Sequence, residues 1–257
     1  MSTAFDPSRA SESDHALAME LAQDAGRLLL ALRDSMGFAD GSALRDAGDR
    51  LSHEYLTDVL EAARPADSVL SEEGADDHAR LSARRLWIID PLDGTREFGE
   101  EGRSDWAVHV ALWVEGSLAA GVVNMPAAGR SHTAAARSQP GRAHVGPPRA
   151  VVSRTRPGKI AGAWAEHVSA ELIPMGSAGA KTMAVVAGEA EAYVHSGGQY
   201  EWDSAAPVAV ALAAGLHASR LDGSPLVYNN ADPSLPDLVV CRPELAEGIL
   251  SFIAGLQ

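Results

Sequence analysis

Cysteine is almost missing from this chain: Cys241 is the one example in 257 residues. A disulfide framework within the chain is therefore excluded, and a reducing compartment such as the cytoplasm suits it. Long apolar runs are missing as well. None approaches the ~20 residues a membrane-spanning helix needs. The opening "MSTAFDPSRASESD" has no apolar stretch behind a basic start, so no signal peptide is expected there. Positive charge is scarce, with 21 Lys and Arg against 35 Asp and Glu, a net charge of −14. That deficit argues against general nucleic-acid or anionic-membrane binding, since both want a basic surface.

What is present is an ordinary globular composition, 46% hydrophobic and 22% charged. The length suits one large domain or two lobes sharing a core. Residues 13–36 carry Leu17, Leu21, Leu28 and Leu32 at helical spacing, with Ser11 or Ser13 as the cap. A second helix is expected from Asp49 to Ala63, stopped by Pro65. "DSVLSEE" reads as a strand ending at Glu72 and Glu73, and "RRLWIID" as a strand ending at Asp90. "WAVHVALWVEGSLAAGVVNMP" reads as a hairpin about Glu115-Gly116. The Gly-, Pro- and Arg-rich "ARSQPGRAHVGPPR" marks a loop or boundary, dividing an N-terminal lobe (1–142) from a C-terminal lobe (143–257) of one compact unit. The first half looks α+β with antiparallel strands. The second alternates strands at 150–153, 191–195 and 236–241 with helices near 158–169, 178–188, 204–214 and from 243, and so looks α/β.

Chemistry concentrates in "WIIDPLDGTREF" (87–98). Asp90 ends an apolar strand, Pro91 is expected to stop the ladder, and Asp93 falls in the turn before Gly94 and Thr95. Two carboxylates there suit hard cations, and free backbone N–H groups suit a phosphate oxygen. A plain turn with an Asx hydrogen bond explains Asp93 alone, but not Asp90 at the end of a buried strand. Asp203 in "EWDSAAPVAVALAAG" stands where an N-cap would, and Asp49 equally begins its expected helix. Haloacid-dehalogenase phosphatases also place an Asp at a strand end, but in a D-x-D pattern. The spacing of three here favours cation bridging over a covalent aspartyl mechanism.

These residues together resemble the inositol monophosphatase superfamily of metal-dependent, lithium-sensitive phosphatases. The matching pieces are "SEE" (71–73), "WIIDPLDGTREF", "EWDSAAPVAVALAAG" (201–215) and "LDGSPL" (221–226), in the family's order and spacing over residues 14 to 242. The resemblance implies an α+β fold layered as an αβαβα sandwich with the site between its halves. It implies that Glu72, Asp90 and the Leu92 carbonyl hold one Mg²⁺. Asp90, Asp93 and Asp203 would hold a second, and a third is often seen beside Glu72. Gly94 and Thr95 amides would bind the scissile phosphate, while the Thr95 hydroxyl, paired with Asp49, would orient the attacking water.

Within the superfamily the chain looks most like the CysQ-type phosphatases of 3′-phosphoadenosine-5′-phosphate (PAP). "DPLDGTREF" matches their "DPLDGT[K/R]EF", with Arg96 in the basic slot, and "GSAGAK" (176–181) resembles their "GSSLK". That likeness implies substrate contacts from Arg96, Ser177 and Lys181. "YVHSGGQYEWD" offers His195 and Ser196 in the region where inositol enzymes place a Glu, which argues against inositol as the preferred substrate. The expected reaction converts PAP to AMP and phosphate, with the sulfated analogue PAPS as a further substrate, in a cytoplasmic monomer or homodimer. Inositol-1-phosphate and fructose-1,6-bisphosphate are alternative substrates, and a non-catalytic nucleotide sensor is the reading from another class.

Overall fold

A computed structural model describes residues 4–135, 139–142 and 144–256. Its first two helices begin at side-chain caps that the sequence supplies. Helix α1 (Glu12–Met36) opens on a reciprocal cap between Ser11 and Asp14, of a kind contributing about 1 kcal/mol. Helix α2 (Gly41–Ala63) begins two turns before the expected start. Asp40 takes the N–H groups of Ser42 and Ala43, so Asp49 stands inside the helix and caps nothing. Residues 41–50 carry one large apolar side chain, Leu44, so the periodic signal starts late although the helix does not.

The first sheet holds β1 (Ser68–Ser71), β2 (Arg85–Asp93), β3 (Ala107–Val114), β4 (Ser117–Met125) and β5 (Arg130–Thr133), adjoining in that order. A short helix, α3 (Thr95–Phe98), follows β2. β1 and β2 are parallel; the other pairs are antiparallel. The β3–β4 hairpin turns where expected, with φ of 45° at Glu115 and 101° at Gly116, as tight hairpin turns require. The second sheet is ordered β7-β6-β8-β10-β9 and begins after the stretch 136–148, of which residues 136–138 and 143 lie outside the described residues. Its strands are β6 (Arg149–Ser153), β7 (Glu171–Met175), β8 (Ala192–Tyr200), β9 (His217–Ser219) and β10 (Ser234–Cys241). Between and after them come α4 (Lys159–Val168), α5 (Ala178–Val186), α6 (Glu201–Ala213) and α7 (Pro243–Ala254).

Alternation along the strands assigns the layers. In β2, Trp87 and Ile89 face α1 and α2, while Leu86 and Ile88 face the interior shared with α5 and α6. In β8, Tyr193 joins that shared interior, whereas Ala192 and Val194 pack outward under α4 and α7. Both sheets are therefore covered on both faces, which is why their strands read as continuous apolar runs. The order is helices, sheet, helices, sheet, helices: the layered sandwich that the sequence implies. Helix α6 is sandwiched and accordingly rich in small buried residues. Gly121 of β4 meets it so closely that a Cβ there would lie 2.7 Å from the Ala209 Cβ. β5, β7 and β9 were not foreseen; all three are short edge strands.

Candidate active site

Asp90 and Asp93 would point to opposite faces of a regular strand, because side chains alternate with period two. The structure resolves this with a bulge. Asp90 pairs with His109 and Asp93 with Ala107, so three steps along β2 oppose two along β3. The extra residue returns Asp93 to the face of Asp90. Pro91 therefore does not end the strand, as expected from its missing N–H, but sits in the bulge, and Asp93 belongs to the ladder rather than to a turn. Ser52 of α2 donates to the Pro91 carbonyl at 2.7 Å and fixes the distortion from the outer face.

The other acids arrive by equally simple geometry. β1 runs parallel to β2 with Ser71 opposite Ile89, so Glu72, the next residue, emerges beside Asp90. Asp203 comes from the far layer, in the first turn of α6. It is the third residue of that helix, not its N-cap, and accepts the Tyr200 N–H at 2.7 Å. Glu201, fully buried and holding the N–H groups of Asn229 and Asn230, anchors this helix start. Asp90, Asp93 and Asp203 each bring a carboxylate oxygen within 4.8 Å of the others. At that separation two unit charges repel by about 3–4 kcal/mol even at an effective dielectric of ~20.

The titration behaviour divides the cluster. Burial, then the charges of Glu72, Asp93 and Asp203, push Asp90 well above the usual carboxylate range. Burial, then Asp93, raises Asp203 to about 7. Glu72 stands at the open rim with its carboxyl turned towards Asp90, and dehydration followed by the surrounding acids raises it to about 7. Asp93 goes the other way. Burial would raise it, but His109 first, then Lys181 and Ser177, bring it down to about 2. An all-oxygen donor set of crowded carboxylates fits a hard divalent cation, whose charge would relieve the repulsion. The Leu92 carbonyl, which accepts the Thr95 hydroxyl at 3.0 Å, keeps a second lone pair for the same use.

Asp93 is held from below. Its carboxylate accepts the Ser177 hydroxyl (2.5 Å) and the N–H groups of Ala178 (3.0 Å) and Gly179 (2.6 Å) at the start of α5. His109 Nε2 lies 3.1 Å from it, and Nδ1 lies 3.2 Å from the Trp202 carbonyl. His109 was not singled out in the sequence. The signal was there: a polar residue on the inward face of an otherwise apolar strand. Gly179 makes room for it, since a Cβ at that position would sit 2.1 Å from Nε2.

Two residues expected to contact substrate have partners within the chain itself. Lys181 is 5% exposed, and its ammonium donates to the carbonyls of Gly176 (2.5 Å) and Ser177 (2.7 Å) over the Tyr193 ring. Ser177 gives its hydroxyl to Asp93 and accepts the Ala180 N–H. Both support the site from within, because the helix that carries them is buried in the middle layer. His195 is partly buried in β8. Burial, then the nearby Lys181 charge, lowers its pKa, which leaves a neutral ring rather than a cation for phosphate.

On the opposite flank, Gly48 lets α2 close on Phe98 and Leu92: a Cβ there would meet the Phe98 ring at 2.6 Å. This approach sets Asp49 beside Thr95, with Oγ1 to Oδ1 at 3.4 Å. Burial, then Glu73, raises Asp49 to about 7. Gly94 has φ of 87°, and a Cβ there would press on Ser177 and Trp106, so the turn into α3 needs glycine. Arg96 is exposed and lines a recess of about 460 Å³ with Arg45, Thr95 and Glu100. A larger cavity, about 840 Å³, opens near Phe5 and the end of α6 and has no acid among the described residues of its lining.

Comparison with known proteins agrees with this architecture. Residues 11–253 match the inositol monophosphatase family. The chain is 52% identical to 3′-phosphoadenosine 5′-phosphate phosphatase of Mycobacterium leprae (strain TN), over 94% of this chain and 93% of that protein. It is 30% identical to 3′(2′),5′-bisphosphate nucleotidase CysQ of Escherichia coli (strain K12), over 81% and 91%. The crystal structure of CysQ from Bacteroides thetaiotaomicron matches with a TM-score of 0.76 and 26% identity, over 90% of this chain and 97% of that one.

Proposed function

Since the chain belongs to the inositol monophosphatase family, we propose that it is a Mg²⁺-dependent 3′(2′),5′-bisphosphate nucleotidase that removes the 3′-phosphate of PAP and releases AMP and phosphate. The observation that carries this reading is the bulge-driven meeting of Asp90, Asp93 and Asp203 beside Thr95 and Asp49, in a chain half-identical to a PAP phosphatase. The same reading makes it a cytoplasmic enzyme of a small phosphorylated nucleotide, PAPS included, working as a monomer or homodimer.

Glu72, Asp90 and the Leu92 carbonyl would hold one Mg²⁺, and Asp90, Asp93 and Asp203 would hold a second; the family resemblance implies a third beside Glu72. When bound, the cations supply Lewis-acid chemistry, a more acidic water nucleophile and neutralised phosphate charge. The chain does the positioning. Gly94 and Thr95 present backbone N–H groups to the scissile phosphate. Thr95 Oγ1 and Asp49 orient the attacking water, and Asp49, with its raised pKa, takes up the proton that the water gives away. Attack at phosphorus breaks its bond to the ribose 3′ oxygen, which leaves as the 3′ hydroxyl of AMP after taking a proton from solvent on the far side. Little covalent chemistry is asked of the side chains, because phosphoryl transfer depends mainly on alignment and charge neutralisation.

The test is phosphate release from PAP, inositol-1-phosphate and fructose-1,6-bisphosphate, with Mg²⁺ and with excess chelator. PAP is expected to lead by about tenfold or more in kcat/KM, and the chelator to abolish release. PAP turnover no faster than that of inositol-1-phosphate would overturn the substrate assignment. Tight PAP binding without release would make the protein a sensor.

A further inference from the structure

The recess lined by Arg45, Thr95, Arg96 and Glu100 presents two guanidinium groups, and among the described residues neither is in a salt bridge, although the Arg45 charge also acts on Asp49. Arg80, Arg85, Arg149, Arg154 and Arg220 are all held by carboxylates. Arg45 and Arg96, among the described residues, are held by none. Glu100 does not serve them, because Arg154 takes its carboxylate at 2.6 Å and that of Glu97 at 2.5 Å.

The frame around the recess is fixed. Arg33 is buried against the rings of Phe38, Phe98 and Trp106 and donates to the carbonyls of Glu100 (2.8 Å) and Arg103 (3.2 Å). The loop after α3 is thereby tied to α1. Gly41 and Gly99 meet without side chains, and the Arg45 stem lies across Gly99, where a Cβ would come within 3.0 Å of Cγ. Two guanidinium groups are thus presented beside Thr95, and arginine forks match phosphate oxygens in shape and charge.

Which phosphate they meet follows from the direction of attack. In-line displacement puts the entering water and the leaving oxygen on opposite sides of phosphorus. Thr95 and Asp49 mark the water side, and Thr95 also lines the recess. The second phosphate of a nucleotide departs with the leaving group, on the far side. Once the bond to the ribose oxygen breaks, the species facing Thr95 is orthophosphate itself. We propose that Arg45 and Arg96 form an exit subsite for inorganic phosphate, drawing the product off the acidic cluster through the recess while the nucleotide leaves by the other side. This rests on the phosphatase reading given above. It also assigns Arg96 to product release rather than to the substrate contact implied by the likeness.

Product inhibition of the Mg²⁺-loaded enzyme tests it, using whichever of the three phosphomonoesters is turned over fastest. Phosphate in the exit subsite coexists with substrate on the cluster, so inorganic phosphate is expected to inhibit with a mixed pattern that includes a fall in apparent kcat. In the Arg45→Gln/Arg96→Gln double variant that component weakens about tenfold or more, leaving competitive inhibition alone. Inhibition by AMP is expected to be competitive in both proteins. Arg96→Gln alone, at an exposed position, carries the test if the double variant melts early. Purely competitive phosphate inhibition of the wild type, or a mixed pattern that survives both substitutions, would overturn the exit subsite and leave the phosphatase reading standing. Absence of turnover on every substrate would remove both.

Discussion

The two flanks of the acidic cluster differ in what faces them. Beneath Asp93 stand a hydroxyl, two helix-start N–H groups and an imidazole, with a buried ammonium nearby. Around Asp90, Glu72 and Asp203 stand mainly other carboxylates, relieved by single backbone donors from Leu92 and Tyr200. One flank holds Asp93 ionised through donors of the chain itself; the other crowds carboxylates in an arrangement that suits a divalent cation. The lesson is that a row of acids read together in a sequence need not share one electrostatic role.

Substitution at the carboxylate-crowded flank is expected to have the largest effect. Asp90→Asn should lower PAP turnover about a thousandfold, roughly 4 kcal/mol of transition-state stabilisation. Activity within about tenfold of wild type would remove Asp90 from the site. Next comes the water side. Thr95→Val should cost about a hundredfold in kcat through loss of an orienting hydroxyl, while the protein still gains thermal stability from Mg²⁺. If that stabilisation disappeared as well, Thr95 would belong to cation binding. Smaller again is the effect at the satisfied flank. Lys181→Met should cost about 1–3 kcal/mol of stability, because two buried carbonyls lose their donor. A large rise in KM for PAP with an unchanged melting temperature would return Lys181 to the substrate.

How much of this was legible in the sequence depends on the kind of signal. Asp90 announced itself, since an apolar run ending in a carboxylate is a strand delivering a charge, and Asp203 was read in family context. The bulge was invisible: Pro91 looked like a stop, and only the pairing with β3 shows that an added residue turns Asp93 back. Lys181 and Ser177 sit in a motif that looks like an open phosphate loop, but a lysine reads the same whether its ammonium meets solvent or backbone carbonyls. Asp49 was identified as a partner for Thr95 and misplaced at a helix start, because the first two turns of α2 carry so little apolar pattern. Edge strands such as β9, only three residues long, fall below any periodic signal.

The comparison between flanks is tested most directly by the melting temperatures of wild type, Asp90→Asn and Asp93→Asn in chelator and again with saturating Mg²⁺. In chelator, Asp90→Asn should melt at or above wild type, because it removes a charge from a repelling group. Asp93→Asn should melt lower, by about 1–3 kcal/mol of lost stability, because one of the two oxygens that accept the donors at the start of α5 becomes an NH₂ group. Mg²⁺ should stabilise wild type, by about 2.7 kcal/mol at a hundredfold excess over its dissociation constant, and stabilise Asp90→Asn far less. Equal destabilisation of both variants in chelator, or equal stabilisation of all three proteins by Mg²⁺, would contradict the division of the cluster into a satisfied flank and one that suits a cation.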